Sequence, residues 1–274
     1  MGRSLVQPAA DAIRYARGVH QQTALEVWNR IEALARADPG GVIATDGDGT
    51  LWTGDVGEDL FVAFLDHGRI EPLAVEAIRH TAREHGLSDA GSGADVARRI
   101  YRAYFDGGFP EERLCELMVW CFAGWARADV SAFARDVVDR GGIASRLHHE
   151  LLGILESARR AGIEVILVSA SPHAVVVEAG ARVGFREACV VAARPGYHGD
   201  VMAAEVERPI PYAEGKVTRL RERIGAGRAL YAAFGDNAFD AAMLANARVP
   251  VAVRPKARLR ERAATVPGIV ELTP

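Results

Sequence analysis

Three apolar runs of strand length, each closing on small or acidic residues, constrain this chain more than any other feature. They are Gly41-Val42-Ile43-Ala44-Thr45 before Asp46, Glu164-Val165-Ile166-Leu167-Val168 before Ser169, and Ala229-Leu230-Tyr231-Ala232-Ala233-Phe234 before Gly235-Asp236-Asn237. Runs without polar alternation belong to strands buried on both faces, as in parallel sheets. From residue 150 onward strand and helix patterns alternate: helix 150–161, strand 164–169, helix 172–183, strand 188–193, helix 214–224, strand 229–235, helix 238–246, strand 249–253, helix 256–264 and strand 268–272. The Gly- and Pro-rich stretch 194–212 reads as a hairpin or extended loop. This alternation predicts an α/β fold, a Rossmann-like, mostly parallel sheet flanked by helices.

The rest of the chain reads differently. Residues 1–38 read as an extension of one or two helices, with Ala24, Val27, Trp28, Ile31, Leu34 and Ala35 at helical spacing, closed by Asp38-Pro39-Gly40-Gly41. Residues 56–148 show no convincing strand, only helical segments separated by Gly or Pro breaks. The expected division is therefore 1–38, an α/β core of 39–55 and 149–274, and an all-helical insertion of 56–148.

The stretch Asp46-Gly47-Asp48-Gly49-Thr50 follows the first run. Open α/β sheets bind ligands at the carboxyl ends of their strands. Asp46 and Asp48, two residues apart, point the same way. Two like charges so placed repel unless a cation joins them or one takes a proton. A solvated Asp/Gly turn is the plainer alternative. An EF-hand loop is excluded, because its fifth and twelfth positions fall on Thr50 and Gly57. Of 33 basic residues only Lys216 and Lys256 are lysine. A compact ammonium suits contact with a carboxylate and a phosphate oxygen together; Lys216 is the candidate, and Lys256 reads as chance.

In this order the residues resemble the haloacid dehalogenase superfamily, and specifically its phosphatase branch that includes phosphoserine phosphatase. Asp46, Asp48 and Thr50 match a first motif Asp-x-Asp-x-Thr, Ser169 the Ser or Thr that ends a hydrophobic strand, and Lys216 the lysine of the third. Asp236 and Asp240 resemble the fourth, Gly-Asp-x-x-x-Asp, and Val168-Ser169-Ala170-Ser171-Pro172 is similar to the phosphoserine-phosphatase-like form of the second. The resemblance covers about 40–55 and 150–274, and implies that the insertion is a cap domain.

It also implies an Mg2+-dependent phosphatase that hydrolyses a small-molecule phosphate monoester, phosphoserine-like, through an aspartyl-phosphate. Asp46 is then the nucleophile and Asp48 the acid and base. Lys216 balances charge, and Ser169 with Ala170 holds phosphoryl oxygens. The metal ligands are the carboxylates of Asp46 and Asp236 and the main-chain carbonyl of Asp48, with Asn237 and Asp240 behind them. Thr50 borders the substrate or fixes the loop, and Trp52 faces cap or substrate. Asp55 and Glu58 are the acids nearest for a substrate ammonium; Arg102, clustered with Arg98 and Arg99, is a guanidinium for its carboxylate. Eleven of the 19 aromatic residues lie from Trp52 to Phe133, as a substrate pocket or as the core of a small helical domain.

Other chemistries fit less well. Asp48 argues against dehalogenation, since a halide leaves without a proton. Ion-pumping relatives carry Lys where Gly47 stands, and no apolar run here approaches ~20 residues. A net charge of −3 gives no reason to expect nucleic acid or an anionic membrane as partner; a small phosphorylated metabolite is expected. Three cysteines without CxxC spacing, and no signal-peptide core, suit the cytoplasm. A phosphomutase or phosphotransferase, or a non-catalytic phosphometabolite-binding module, remains open, as does monomer against homodimer.

Overall fold

The three apolar runs are neighbouring strands. The computed structural model describes residues 19–274. In chain order its elements are β1 (His20–Gln22), α1 (Ala24–Ala37), β2 (Val42–Thr45), α2 (Val56–His67), α3 (Pro72–Glu84), α4 (Gly93–Phe105), α5 (Glu111–Trp120), α6 (Arg127–Gly141), α7 (His149–Arg160), β3 (Glu164–Pro172), α8 (His173–Arg182), β4 (Val190–Ala193), β5 (Pro195–His198), β6 (Val201–Val206), α9 (Glu214–Ile224), β7 (Leu230–Gly235), α10 (Ala241–Ala245), β8 (Val249–Val253), α11 (Ala257–Arg262) and β9 (Val270–Leu272). Two compact units result. The first takes the chain to Gly54 together with Arg146–Ser169 and Pro211–Pro274; the second is Asp55–Ser145 with Ala170–Ile210.

In the first unit six strands run β1-β9-β8-β7-β2-β3, every pairing parallel. This is the mostly parallel α/β sheet expected. β2 is buried at all four positions and lies between β3 and β7, with Thr45 opposite both Leu167 and Phe234. The chain leaves β2 for one neighbour and later returns on its other side, so their carboxyl ends form a topological switch point. Asp46, Ser169 and Asp236 all sit there.

Local chemistry fixes how β2 begins. α1 starts with a capping box: Thr23 Oγ1 accepts from Glu26 N, and the Glu26 carboxylate accepts from Thr23 N at 2.7 Å. Its buried stripe is Val27 and Ile31. After the break at Pro39, Gly41 passes against the Tyr231 ring, where a Cβ would lie 2.4 Å from it. Gly41 N donates to the Tyr231 hydroxyl at 2.8 Å, and that hydroxyl donates to the Asp38 carbonyl.

Two local readings need correction. His20–Gln22 is a strand rather than helix: three polar residues become β by pairing with Val270–Leu272 at the sheet edge. The helix expected over 238–246 is a 3-10 turn, Ala238–Asp240, followed by α10. The Asp240 carboxylate accepts from the Asp236 and Asn237 N–H groups and tightens that turn. The part of the expected helical extension in residues 1–18 lies outside the described residues.

The second unit contains α2 to α6, with no strand between Asp55 and Ser145, then α8, β4 and the β5–β6 antiparallel hairpin. Ala170–Ile210 thus groups with the helices, whereas the sequence division assigns it to the core. The aromatic residues build this unit's core: Phe64, Phe122, Trp125 and Phe133 meet at ring-centroid distances from 4.5 to 6.2 Å. Buried Glu116 is held by Arg113 and, at 2.8 Å, by Arg208. Among the described residues no helix is long and apolar enough to cross a membrane.

Candidate active site

The loop after β2 is wound so tightly that only its particular residues fit. Asp46 N continues the ladder by donating to the Phe234 carbonyl at 2.9 Å. The Gly47 carbonyl then accepts from the N–H groups of Thr50, Leu51 and Trp52. Gly49 has φ +81°, and a Cβ there would lie 2.3 Å from Asp236 Oδ2. Glycine is required on both counts. Buried His148 fastens the loop from beneath, its Nδ1 at 2.8 Å from the Thr50 carbonyl and its Nε2 at 2.9 Å from Thr53 Oγ1.

Lys216 joins the strand ends. It lies in the first turn of α9 with no solvent exposure. Its Nζ donates to Asp46 Oδ1 and to Asp240 Oδ1, each at 2.6 Å, and reaches the Val168 carbonyl at 3.5 Å. Burial pulls this ammonium's pKa down, but the two carboxylates outweigh it and raise the pKa, so Lys216 stays charged. Burial pushes the Asp46 carboxyl well up; Lys216 opposes this, while Asp240, Asp236 and Asp48 add to it.

Each remaining carboxylate has its own setting. Asp46 Oδ2 accepts from Thr50 Oγ1 at 2.9 Å, and the same hydroxyl is 3.3 Å from Asp236 Oδ1. Asp240 spends one oxygen on Lys216 and the other on two backbone N–H groups. Asp236, 1% exposed, pairs through Oδ2 with Lys256 at 2.8 Å. Burial and then Asp240 push its pKa up to about 6 against the pull of Lys256 and Lys216. Asp48 Oδ1 accepts from Trp52 Nε1 at 2.8 Å, and Oδ2 lies 3.4 Å from Ser169 Oγ.

Carboxylate oxygens of Asp46, Asp236 and Asp240 lie within 4.8 Å of one another, all buried. Oxygen donors with surplus negative charge suit a hard divalent cation such as Mg2+. The residues fit such an ion, with Asp46 and Asp236 the carboxylates left to ligate and Asp240 already committed. The Asp48 carboxylate stands outside this group.

The site residues read from sequence fall into both units. Asp46, Asp48, Thr50, Ser169, Lys216, Asp236 and Asp240 converge in the first. Asn237 joins them, its Oδ1 accepting from Ala238 N at 2.7 Å. Trp52, read as facing cap or substrate, is fully buried and turned onto Asp48. Thr50 is likewise buried between two carboxylates. Asp55, Glu58, Arg102 and Ala170 belong to the second unit. There Asp55 caps α2 by accepting from Glu58 N at 2.8 Å, and the Glu58 carboxylate bonds the Tyr101 hydroxyl. Lys256 and His148 were not among the site residues read from sequence, Lys256 having been read as chance. The rarity of lysine was the available signal for the first; nothing distinguished His148 from His149.

The sequence matches the haloacid dehalogenase-like hydrolase family over residues 43–245. This chain is a member of that family. No curated protein is recognisably similar in sequence. Among solved structures, a protein of unknown function from Bordetella pertussis Tohama I aligns at TM-score 0.64 and 23% identity, over 85% of this chain and 97% of that one. A HAD family hydrolase from Salmonella enterica serovar Typhi aligns at TM-score 0.53 and 18% identity, over 90% and 75%. A protein from Anaerococcus prevotii aligns at TM-score 0.58 and 15% identity, over 84% of each chain. At these identities the likeness is one of fold.

Proposed function

We propose that this hydrolase is an Mg2+-dependent phosphatase that cleaves a small phosphate monoester with Asp46 as nucleophile. The observation that carries this reading is the pairing of two differently held carboxylates: Asp46 on the buried Lys216 ammonium, and Asp48 on the Trp52 indole with Oδ2 turned to Ser169. One suits attack and the other proton transfer.

In the first step an Asp46 oxygen bonds to phosphorus as the ester P–O bond breaks. Asp48 gives its proton to the departing oxygen. In the second step Asp48 takes a proton from water, whose oxygen bonds to phosphorus as the Asp46–phosphorus bond breaks. Phosphate leaves and Asp46 is restored. Lys216 offsets charge on Asp46 throughout, and the Ser169 hydroxyl is available to a phosphoryl oxygen. A bound Mg2+, held by Asp46 and Asp236, supplies neutralisation of the phosphate charge.

The test is phosphate release from a panel of phosphorylated metabolites, with Mg2+ and with EDTA, beside Asp46→Asn. Release that needs Mg2+ and vanishes in the variant supports the reading. Release that persists in Asp46→Asn, or with EDTA, overturns it. Transfer of phosphate to an added sugar or alcohol in preference to water would make the protein a phosphotransferase.

A further inference from the structure

Each of the two lysines follows a strained turn. Ala213 (φ 47°) precedes Lys216, and Arg254 (φ 44°) precedes Lys256; these are the positive-φ non-glycine residues of the described chain. Left-handed backbone at such residues is costly and collects where a side chain must reach a fixed point. The turn after β8 is held from two sides. Arg254 Nε donates to Glu150 Oε1 at 2.9 Å, and Lys256 N donates to the Asp236 carbonyl at 2.8 Å. From this anchor Lys256 Nζ reaches Asp236 Oδ2 at 2.8 Å. The pair is asymmetric: the carboxylate is 1% exposed, the lysine side chain 55%.

We propose that Lys256 is an internal counter-cation, seated on the Asp236 carboxylate in the metal-free protein and displaced into solvent when a divalent cation binds. This rests on the metal reading of the site given above. Asp236 Oδ2, the oxygen Lys256 holds, is also the atom nearest a Cβ placed on Gly49, so it faces the loop that carries Asp46. A metal ligated there would sit beside the ammonium, and the two cations repel. Among the three clustered carboxylates the charges also balance by exchange. Asp46, Asp236 and Asp240 as carboxylates carry three negative charges, of which the immobile Lys216 offsets one. With Lys256 seated one is left over; with Lys256 gone two are, matching a divalent ion.

The exchange is mechanically simple. The backbone of Lys256 stays bonded to Asp236 while its flexible stem turns outward. Lys216 has no such route, being fully buried on two carboxylates. Metal affinity is thereby set by competition with a tethered ion of high effective concentration.

Isothermal titration with Mg2+ of the wild type, Lys256→Met and Lys256→Arg tests this, together with melting curves and amine-labelling of Lys256. Lys256→Met should bind Mg2+ about tenfold tighter, with Lys256→Arg near wild type. Metal-free Lys256→Met should melt below wild type, and the gap should close at saturating Mg2+. Labelling of wild-type Lys256 should rise when Mg2+ is added. Unchanged or weaker binding by Lys256→Met, a melting gap that survives saturation, or labelling indifferent to Mg2+ overturns the proposal while leaving the phosphatase reading intact. Failure of both wild type and Lys256→Met to bind Mg2+ overturns the two together.

Discussion

The indole N–H of Trp52 donates to Asp48 Oδ1 at 2.8 Å from a fully buried position. One carboxylate oxygen is thus committed as acceptor; in the proposed mechanism Oδ2 is the oxygen that transfers the proton. Trp52→Phe keeps the ring and deletes the donor. It should lower kcat about tenfold while KM barely moves, and cost about 1–2 kcal/mol of stability. The kcat loss should be larger for alkyl phosphates than for aryl phosphates, whose leaving groups need less protonation. Steady-state kinetics on one substrate of each kind checks this; equal losses would make Trp52 merely structural.

Gly49 permits the loop to pass over Asp236. Gly49→Ala adds a Cβ 2.3 Å from Asp236 Oδ2 at a φ of +81°. It should destabilise the protein by about 2 kcal/mol or more and weaken Mg2+ binding by at least about tenfold, read by thermal melting and titration calorimetry.

Asp236 sets a pH dependence. Its pKa of about 6 in the folded, metal-free protein lies above the usual 3.8, so between these values the folded state binds more protons than the unfolded. Metal-free stability should therefore fall as pH rises from about 4 to 6, by up to ~3 kcal/mol. Asp236→Asn should flatten that slope. Below pH 6 protons compete with Mg2+ for the carboxylate, so affinity should weaken toward about tenfold per pH unit. Denaturant titrations with and without Mg2+ across this range provide the check.

Ala213, at φ 47° and ψ −119°, holds a conformation suited to glycine. Ala213→Gly should raise stability by about 1 kcal/mol through relief of strain. Loss of activity alongside that gain would show the strain to be coupled to the placing of Lys216.

The candidate site was legible wherever a buried strand ended in a polar residue. Asp46, Ser169 and Asp236 are such ends, and Lys216 stood out by its rarity. Lys256 was equally rare but was read as chance, because its reach to Asp236 depends on the left-handed turn at Arg254, which no propensity signals. Asp240 bends back onto backbone N–H groups and breaks the helix its spacing suggested. His20–Gln22 is β only through its partner Val270–Leu272, a tertiary cause invisible in three polar residues. The grouping of Ala170–Ile210 with the second unit likewise follows from packing, not from periodicity.

The most direct test of the central claim is to find where phosphate goes during turnover. Wild-type protein mixed with Mg2+ and a good substrate, quenched in acid within the first turnover and cleaved into peptides, should carry phosphate on Asp46. Phosphate on another residue, or full release of product with no phosphorylated peptide at any early time, would contradict nucleophilic attack by Asp46.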